Sequence, residues 1–371
     1  MTKTIAYITP VKFREESAAK QRILGNIEAL HRENYDVMVI DGGEKNETFS
    51  INNCKVYSVE ERIVKNRGIA GKIYSSFAMG KKTLRFLKTN QTKIDIIVIY
   101  SGYSPYLIRL LKYCKSHNIK IVFDCVEWYQ PKKTWEYIYN PYYWNIEISM
   151  RYLIPKCDGV ISISRYLYKY YSSRNIKSVL IPPLISCNKY TKVGEYIPDG
   201  KGKIKLVYAG NPGHKDLLET VVRTVNEMSE SFELYVVGVE GINSENIKYF
   251  GWVPLAHARE IVNSAHFSVL LRPDNKTSHA GFSTKVVESM SLGVPVIAND
   301  TSDLSAYIKD GENGYLFKGG STEFRRKLIE VKNCMNNNLY QNLSANSLKS
   351  FMVNFSSESK KNELEEFFSH L

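Results

Sequence analysis

The run FSVLLRPDNKTSHAGFSTKVVESMSLGVPVIAND, Phe267 to Asp300, decides how the C-terminal part of the chain folds. Its two ends, FSVLLRP and VPVIAND, are short apolar runs of the kind that form strands buried on both faces. Between them DNKTSHAGF is polar and punctuated by Gly281, which reads as a loop, and STKVVESMSLG places apolar residues at helical spacing behind a Ser283 cap. Strand, loop, helix and strand make one βαβ unit of a parallel sheet. Gly281, Phe282, Ser283 and Thr284 then stand at a helix N-terminus beyond the carboxyl end of a strand. Open α/β sheets bind ligands there, and unpaired N–H groups attract phosphate. Lys285 lies in the first turn of the same helix. Glu288, about one turn further, is a bidentate acceptor suited to two adjacent hydroxyls such as those of ribose. A nucleotide diphosphate fits both features; a helix capped by Ser283 with a solvated Glu288 fits the spacing as well.

The same alternation extends in both directions. IKLVYAG, FELYVVG and IKYFG precede this unit as strands, and TIAYITP, YDVMVID, CKVYSV, IDIIVIY, IKIVFDC, GVISIS and KSVLIPP form an earlier series with helical segments such as ESAAKQRILGNIEALHREN and PYLIRLLKYCKSHN between them. At 371 residues the chain exceeds what one core usually serves. The expected organisation is α/β throughout: two Rossmann-like, doubly wound parallel-sheet domains facing a cleft. Residues 1–185 form the first, 186–203 a polar, Gly-containing linker, 204–350 the second, and 351–371 a C-terminal helix that packs on either half.

Composition is ordinary for a folded protein, 43% hydrophobic and 24% charged, with no low-complexity tract or repeat. The six cysteines show no zinc spacing and read as small buried apolar residues, which fits a reducing, cytoplasmic setting. The longest apolar run, IDIIVIY, is far below spanning length. Net charge is +12, and about 29 Lys and Arg against about 16 Asp and Glu fall in residues 1–185, an asymmetry that points to an anionic partner. In GKIYSSFAMGKKTLRFLKT, Ile73, Phe77, Leu84 and Leu87 recur near helical spacing among lysines and arginines, as on a helix lying on an anionic membrane face or on a solvated basic surface.

Residues 270–317, LLRPDNKTSHAGFSTKVVESMSLGVPVIANDTSDLSAYIKDGENGYLF, resemble the donor-site segment of retaining glycosyltransferases of family 4, two-domain enzymes of the GT-B fold. The resemblance extends to VYAGNPGHKDLLETVVRTV, similar to the family's Gly-rich turn and lysine, and to SAAKQRILGNIEALHRENYDVMVI, similar to its first helix and second strand. It implies transfer of a sugar from a nucleotide diphosphate sugar to a glycan or lipid-linked acceptor, in a cell-surface polysaccharide pathway. It further implies that Lys215 lies against the diphosphate near Gly210 of the turn, that Glu288 holds the ribose, and that amides near Gly281 and Phe282 meet the diphosphate or donor sugar. Arg272, at the end of its strand, is a second candidate for the phosphates and equally a partner for an acidic surface residue. The resemblance implies no cofactor beyond the co-substrate and no metal, and the chain lacks a D-x-D motif.

Three departures from the family pattern stand out. Ala280 replaces a frequent first glutamate, Asn211 an arginine beside the turn, and Val126 a histidine near the transferred sugar, leaving Asp124 and Glu127 as polar groups there. In the N-terminal half, Lys12 and Arg14 of the loop after the first strand are candidates, with Asp124 and Glu127, for acceptor binding, or are simply solvated, and Glu127 joins Lys215 and Arg272 as a catalytic candidate. Residues 128–152 hold three of the four tryptophans, whose faces stack on sugars or settle at a membrane interface. Two rivals remain open: a nucleotide-sugar epimerase of the same architecture, drawing on Glu127 and His279, and a nucleic-acid binder resting only on basic charge, for which no reading motif is found.

Overall fold

The structure is a computed structural model, and it describes residues 2–30, 34–61, 77–101, 104–131, 133, 135–186, 202–213 and 215–371. The chain divides into unit 1, Met1–Leu184 with Lys360–Leu371, and unit 2, Ile185–Ser359. The linker expected at 186–203 lies almost wholly outside the described residues.

Unit 1 contains β1 (Lys3–Thr9), α1 (Ala18–Ala29), β2 (Tyr35–Asp41), β3 (Asn46–Ile51), β4 (Cys54–Val59), α2 (Lys81–Thr89), β5 (Ile96–Tyr100), α3 (Ser104–His117), β6 (Lys120–Cys125), α4 (Glu136–Tyr139), α5 (Pro141–Ile148), a π-helical turn at Ser149–Leu153, β7 (Gly159–Ser162), α6 (Arg165–Ser172) and β8 (Ser178–Leu180). The strand order is β3-β4-β2-β1-β5-β6-β7-β8. Every described neighbour pair is parallel except β3 with β4, so the sheet carries one antiparallel edge where a wholly parallel sheet was expected. The reason is local. Asn52 and Asn53 both take positive φ, 49° and 61°, and such a two-residue turn folds the chain straight back into a hairpin.

Unit 2 contains β9 (Ile204–Ala209), α7 (Leu218–Asn226), β10 (Phe232–Val237), β11 (Ile247–Gly251), α8 (Leu255–Asn263), β12 (Phe267–Leu270), α9 (Lys276–Ala280), α10 (Thr284–Ser291), β13 (Val296–Asn299), α11 (Leu304–Tyr307), β14 (Gly314–Phe317), α12 (Ser321–Cys334) and α13 (Asn337–Asn354). Its sheet is parallel with order β11-β10-β9-β12-β13-β14, which reverses direction between β9 and β12. The expected loop DNKTSHAGF contains α9, because the Asn275 side chain accepts from the Ser278 amide and caps a short helix.

The chain returns to unit 1 at Lys360, so the boundary expected at 351 falls inside α13. The last helix, α14 (Lys361–Ser369), places Leu364, Phe367 and Phe368 in the unit 1 core beside Ile5, Val39, Val98 and Val122 of the central strands. Of the cysteines, Cys54, Cys114, Cys125 and Cys157 are buried, and burial pushes the Cys114 and Cys125 thiols up to about 12. Cys334, at the end of α12, is exposed, contrary to expectation, and Cys187 lies outside the described residues. The basic helix expected across 71–89 is also corrected: residues 62–76 lie outside the described residues, and Gly80, at φ 90°, separates Phe77 from α2. Among the described residues no helix is long and apolar enough to cross a membrane.

Candidate functional site

In unit 2 the reversal of strand order leaves the loops after β9 and β12 side by side, the place where open sheets hold ligands. The loop after β9 brings Asn211, Lys215 and Asp216; the end of β12 leads into Arg272; and the first turn of α10 brings Lys285. Arg272 and Lys285 converge on Asp216, whose side chain is 1% exposed. Arg272 Nε donates to Asp216 Oδ1 at 2.9 Å, and the Tyr208 hydroxyl donates to Oδ2 at 2.6 Å. Lys285 Nζ also donates to Asp216 Oδ2, to the Tyr208 hydroxyl at 2.7 Å and to the Asn211 carbonyl at 3.0 Å. Burial alone would raise the Asp216 carboxyl, but the Lys285 and Arg272 charges outweigh it and hold it below the usual carboxylate range. One anion between two cations leaves a positive balance. Lys285, 17% exposed, is the more accessible of the two.

Gly210 belongs to this arrangement for a steric reason. Its φ is 113°, and a Cβ there would lie 2.7 Å from Lys285 Cε, so the turn is glycine where the lysine stem crosses it. Arg272 is fixed from behind. Its amide donates to Asn299 Oδ1 at 2.9 Å and its carbonyl accepts from Asn299 Nδ2 at 2.7 Å.

Helix α10 begins at Thr284 with Ser283 as N-cap. The Ser283 hydroxyl is buried and has no hydrogen-bond partner among the described residues. The first N–H groups of a helix have no carbonyl within it, so the end of α10 combines orphan donors, a buried hydroxyl and the nearby lysine. Glu288 follows Lys285 by three positions and so shares its side of the helix. The Gly281 amide, by contrast, donates to the Thr277 carbonyl at 3.1 Å and closes α9, which directs the available donors to the residues after it. Phe282 is 7% exposed and packs its ring against Tyr307 and Phe355 at 5.6 and 5.7 Å. Ala280 is fully buried, so a longer acidic side chain has no room without rearrangement. Lys215 is half-buried one residue before Asp216, and His279 Nε2 pairs with Asp274 Oδ1 at 2.5 Å on the surface.

Unit 1 has its own reversal between β1 and β5, and a cavity of about 370 Å³ opens there. Pro10 and Val11 after β1, Ser101 after β5, and Val126 and Glu127 after β6 line it, with Tyr129, Tyr142 and Asn145 opposite. Asp124 reaches this wall but is fully buried. Its oxygens accept from Arg22 Nε at 2.9 Å and Nη2 at 2.7 Å, from the Tyr7 hydroxyl at 2.5 Å and from Asn26 Nδ2 at 3.2 Å. Lys12 pairs with Glu15 at 2.9 Å and with Glu44, and Arg14 forms a two-point bridge to Glu47 at 2.6 and 2.8 Å, so both cations of the β1 loop are engaged by acids.

Asp216 was not identified from sequence. The one available signal was its place in the turn between Lys215 and an apolar helix. Among the described residues no group of three or more His, Cys, Asp or Glu stands where it could hold a metal ion.

Comparison with known proteins accounts for most of the chain. Residues 203–333 match the model described as glycosyl transferases group 1, and residues 21–189 match glycosyltransferase family 4. A protein of Klebsiella pneumoniae described as an uncharacterized 41.2 kDa protein in the cps region is 28% identical over 284 residues, covering 69% of this chain and 72% of that protein. Among solved structures, sucrose-phosphate synthase from Thermosynechococcus elongatus superposes with a TM-score of 0.74 at 14% identity over 99% of this chain and 98% of that one. The Anabaena protein HepE, solved with UDP-glucose, does so with a TM-score of 0.67 at 12% identity over 99% and 100%. The two parallel-sheet units thus form a GT-B fold.

Proposed function

The chain is a glycosyltransferase of the GT-B fold, and from that premise we propose that it moves a sugar, with retention of anomeric configuration, from a nucleotide diphosphate sugar held by unit 2 to a glycan or lipid-linked acceptor held by unit 1. The observation that carries the donor half is the pairing of Lys285 and Arg272 around Asp216 beside the open end of α10. Diphosphate charge meets two placed cations and helix N–H groups, with Lys215 close in the chain. Glu288, on the Lys285 side of α10, takes the ribose hydroxyls. As the sugar–phosphate bond breaks, negative charge grows on the leaving phosphate, and fixed cations stabilise that charge more than they stabilise the bound donor. Lys215, Arg272, Lys285 and the helix end supply this charge without recourse to a metal. Attack from the same face, assisted by the departing phosphate, needs no protein nucleophile.

The acceptor half rests on the unit 1 cavity, where Glu127, Asn145 and Ser101 offer polar contacts among Tyr129, Tyr142 and Val126. Tyrosine faces beside a carboxylate and an amide suit a sugar ring, which presents one apolar face and a rim of hydroxyls. The relative from the cps region and the neighbour solved with UDP-glucose support a UDP-sugar donor and a surface-polysaccharide setting.

Thermal melting with UDP, GDP, CDP, ADP and TDP tests the donor half. A ligand at about 100 times its dissociation constant adds about 2.7 kcal/mol of stability. One diphosphate is expected to stabilise the protein, and Glu288→Ala to weaken that ligand by about 1.5–3 kcal/mol, the range for hydrogen bonds to a charged group. Equal affinity in the variant removes Glu288 from the site, and no stabilisation by any diphosphate removes the donor reading.

A further inference from the structure

Beside its cavity, unit 1 carries an apolar ridge on the outside. Trp135, Ile138 and Tyr139, at the start of and along α4, and Trp144, Ile148 and Tyr152, along α5 and the π turn, are each 44–75% exposed. Isolated exposed apolar residues are ordinary, whereas seven large ones within residues 135–152, these six and Tyr142, form a patch that requires an explanation. Trp144, Ile148 and Tyr152 follow at intervals of four and so form one stripe. Between them Ile146, Ser149 and Met150 point the other way and line the cavity. One continuous helical segment therefore has a cavity face and an outward apolar face.

Basic surface adjoins the ridge. The Ser104 amide donates to Asn145 Oδ1 at 2.6 Å, tying the start of α3 to α5. From there Ile108, Lys112 and Lys115 run along the exposed side of α3. Arg109 of the same helix donates to the Phe77 carbonyl at 2.7 Å and the Met79 carbonyl at 2.8 Å, which places the exposed Phe77 and the lysines of α2 alongside. Residues 77–117 carry eight Lys and Arg against one Asp. Tryptophan and tyrosine place an apolar ring and a polar edge at the boundary between hydrocarbon and headgroups, and lysines beside them meet lipid phosphates.

We infer that the ridge of α4, α5 and the π turn is the surface by which this protein lies on an anionic phospholipid bilayer, with the lysines of α2 and α3 over the headgroups. The inference draws on the acceptor reading above only for its purpose: a lipid-linked acceptor would approach the cavity past α5, whose inner face lines it. The assignment differs from a purely electrostatic one because it predicts dependence on uncharged side chains.

Flotation of the full chain with phosphatidylcholine vesicles, with and without phosphatidylglycerol, tests it at moderate salt. Wild type is expected to float with the mixed vesicles, and the Trp144→Ser/Ile148→Ser variant at least about tenfold less, since the burial of two large side chains is removed. Urea denaturation followed by circular dichroism is expected to be unchanged in that variant and reports that unit 1 is folded, and the nucleotide-dependent melting shift, which reads unit 2, is expected to be unchanged as well. Equal flotation of variant and wild type overturns the inference, as does failure of wild type to float. Wild-type self-association that the variant loses, without flotation, overturns it in favour of a second copy covering the ridge. A flotation difference without any nucleotide shift in either protein upholds this inference and sinks the donor reading instead.

Discussion

Each unit places an aspartate against an arginine and against the hydroxyl of a tyrosine from its first strand, and the two sets are built to opposite ends. In unit 1, Asp124 meets Tyr7 of β1 and Arg22 of α1, with side-chain exposures of 0% for the aspartate and 2% for the arginine. The remaining Arg22 donors go to the carbonyls of Ile181 and Pro182, both at 3.1 Å. Nothing of the set faces solvent, and its partners come from β1, α1, β6 and the end of the β8 region, so it ties the unit together. In unit 2, Asp216 meets Tyr208 of β9 and Arg272 after β12, but a third, partly exposed partner joins them: Lys285, from the open end of a helix. The same three residue types, closed by carbonyls, make a structural tie; joined by a lysine at a helix terminus, they carry an excess positive charge, which is what the proposed donor site would require.

The largest effect that separates the two sets is on stability. Asp124→Ala leaves the Arg22 charge buried without its counter-ion, and breaking a buried pair in this way costs about 3–5 kcal/mol. Urea denaturation followed by circular dichroism is expected to show unit 1 unfolding at much lower denaturant. Nucleotide-dependent protection of unit 2 is expected to survive where unit 2 stays folded. A loss below about 1 kcal/mol would mean that the closed set contributes little to the fold, and the contrast between the sets would fail.

A smaller and different effect is expected from Lys285→Met, which keeps the stem that crosses Gly210 and removes the charge. Asp216 retains Arg272 and Tyr208, so the fold is expected to hold. Nucleotide diphosphate affinity is expected to fall by about 1.5–3 kcal/mol, the range for a hydrogen bond to a charged group, measured by isothermal titration. The corresponding mononucleoside without phosphate is expected to bind both proteins alike. If nucleotide affinity is unchanged while stability drops, Lys285 is a structural partner of Asp216 and the second set is no more functional than the first.

Sequence conveyed the architecture well and this contrast poorly. The central strands were legible because strands buried on both faces, such as IIVIY and IAYIT, are uninterrupted apolar runs. The edge strand Asn46–Ile51 was not, because its residues alternate between exposed and half-buried, although Asn52 and Asn53 carried the turn signal. Helix α10 and its start after Ser283 are legible from apolar spacing, a local property, although the Ser283 hydroxyl makes no capping hydrogen bond to the helix. Asp124 and Asp216 depend on partners far away in the chain, 102 residues in the case of Arg22 and 69 in the case of Lys285. A carboxylate at a strand end looks the same in sequence whether an arginine seals it or solvent reaches it. Asp124 therefore reads as an acceptor ligand although the structure buries it fully, and Asp216, beside the more familiar Lys215, carries no distinguishing signal.

The smallest expected effect concerns acid. The folded Asp216 carboxyl lies below its ordinary value because, against the opposing influence of burial, Lys285 and Arg272 favour its ionised form. An unfolded aspartate titrates near about 3.9. The depressed group therefore contributes stability that is fully present above that value and is lost as pH falls through the lower folded pKa. Asp216→Asn removes this contribution while keeping the shape and one carbonyl acceptor. Calorimetric melting of the two proteins is expected to show a constant difference from pH 7 to about pH 5 and a shrinking one below about pH 4. Addition of the stabilising nucleotide is expected to leave the wild-type profile acid-sensitive in the same range, since the phosphates would engage Lys285 and Arg272 on their solvent side while Asp216 stays behind them. A difference that stays constant down to pH 3 would mean that the carboxylate is neutral or unpaired in the folded protein, and the two cations would then lack the buried anion that positions them.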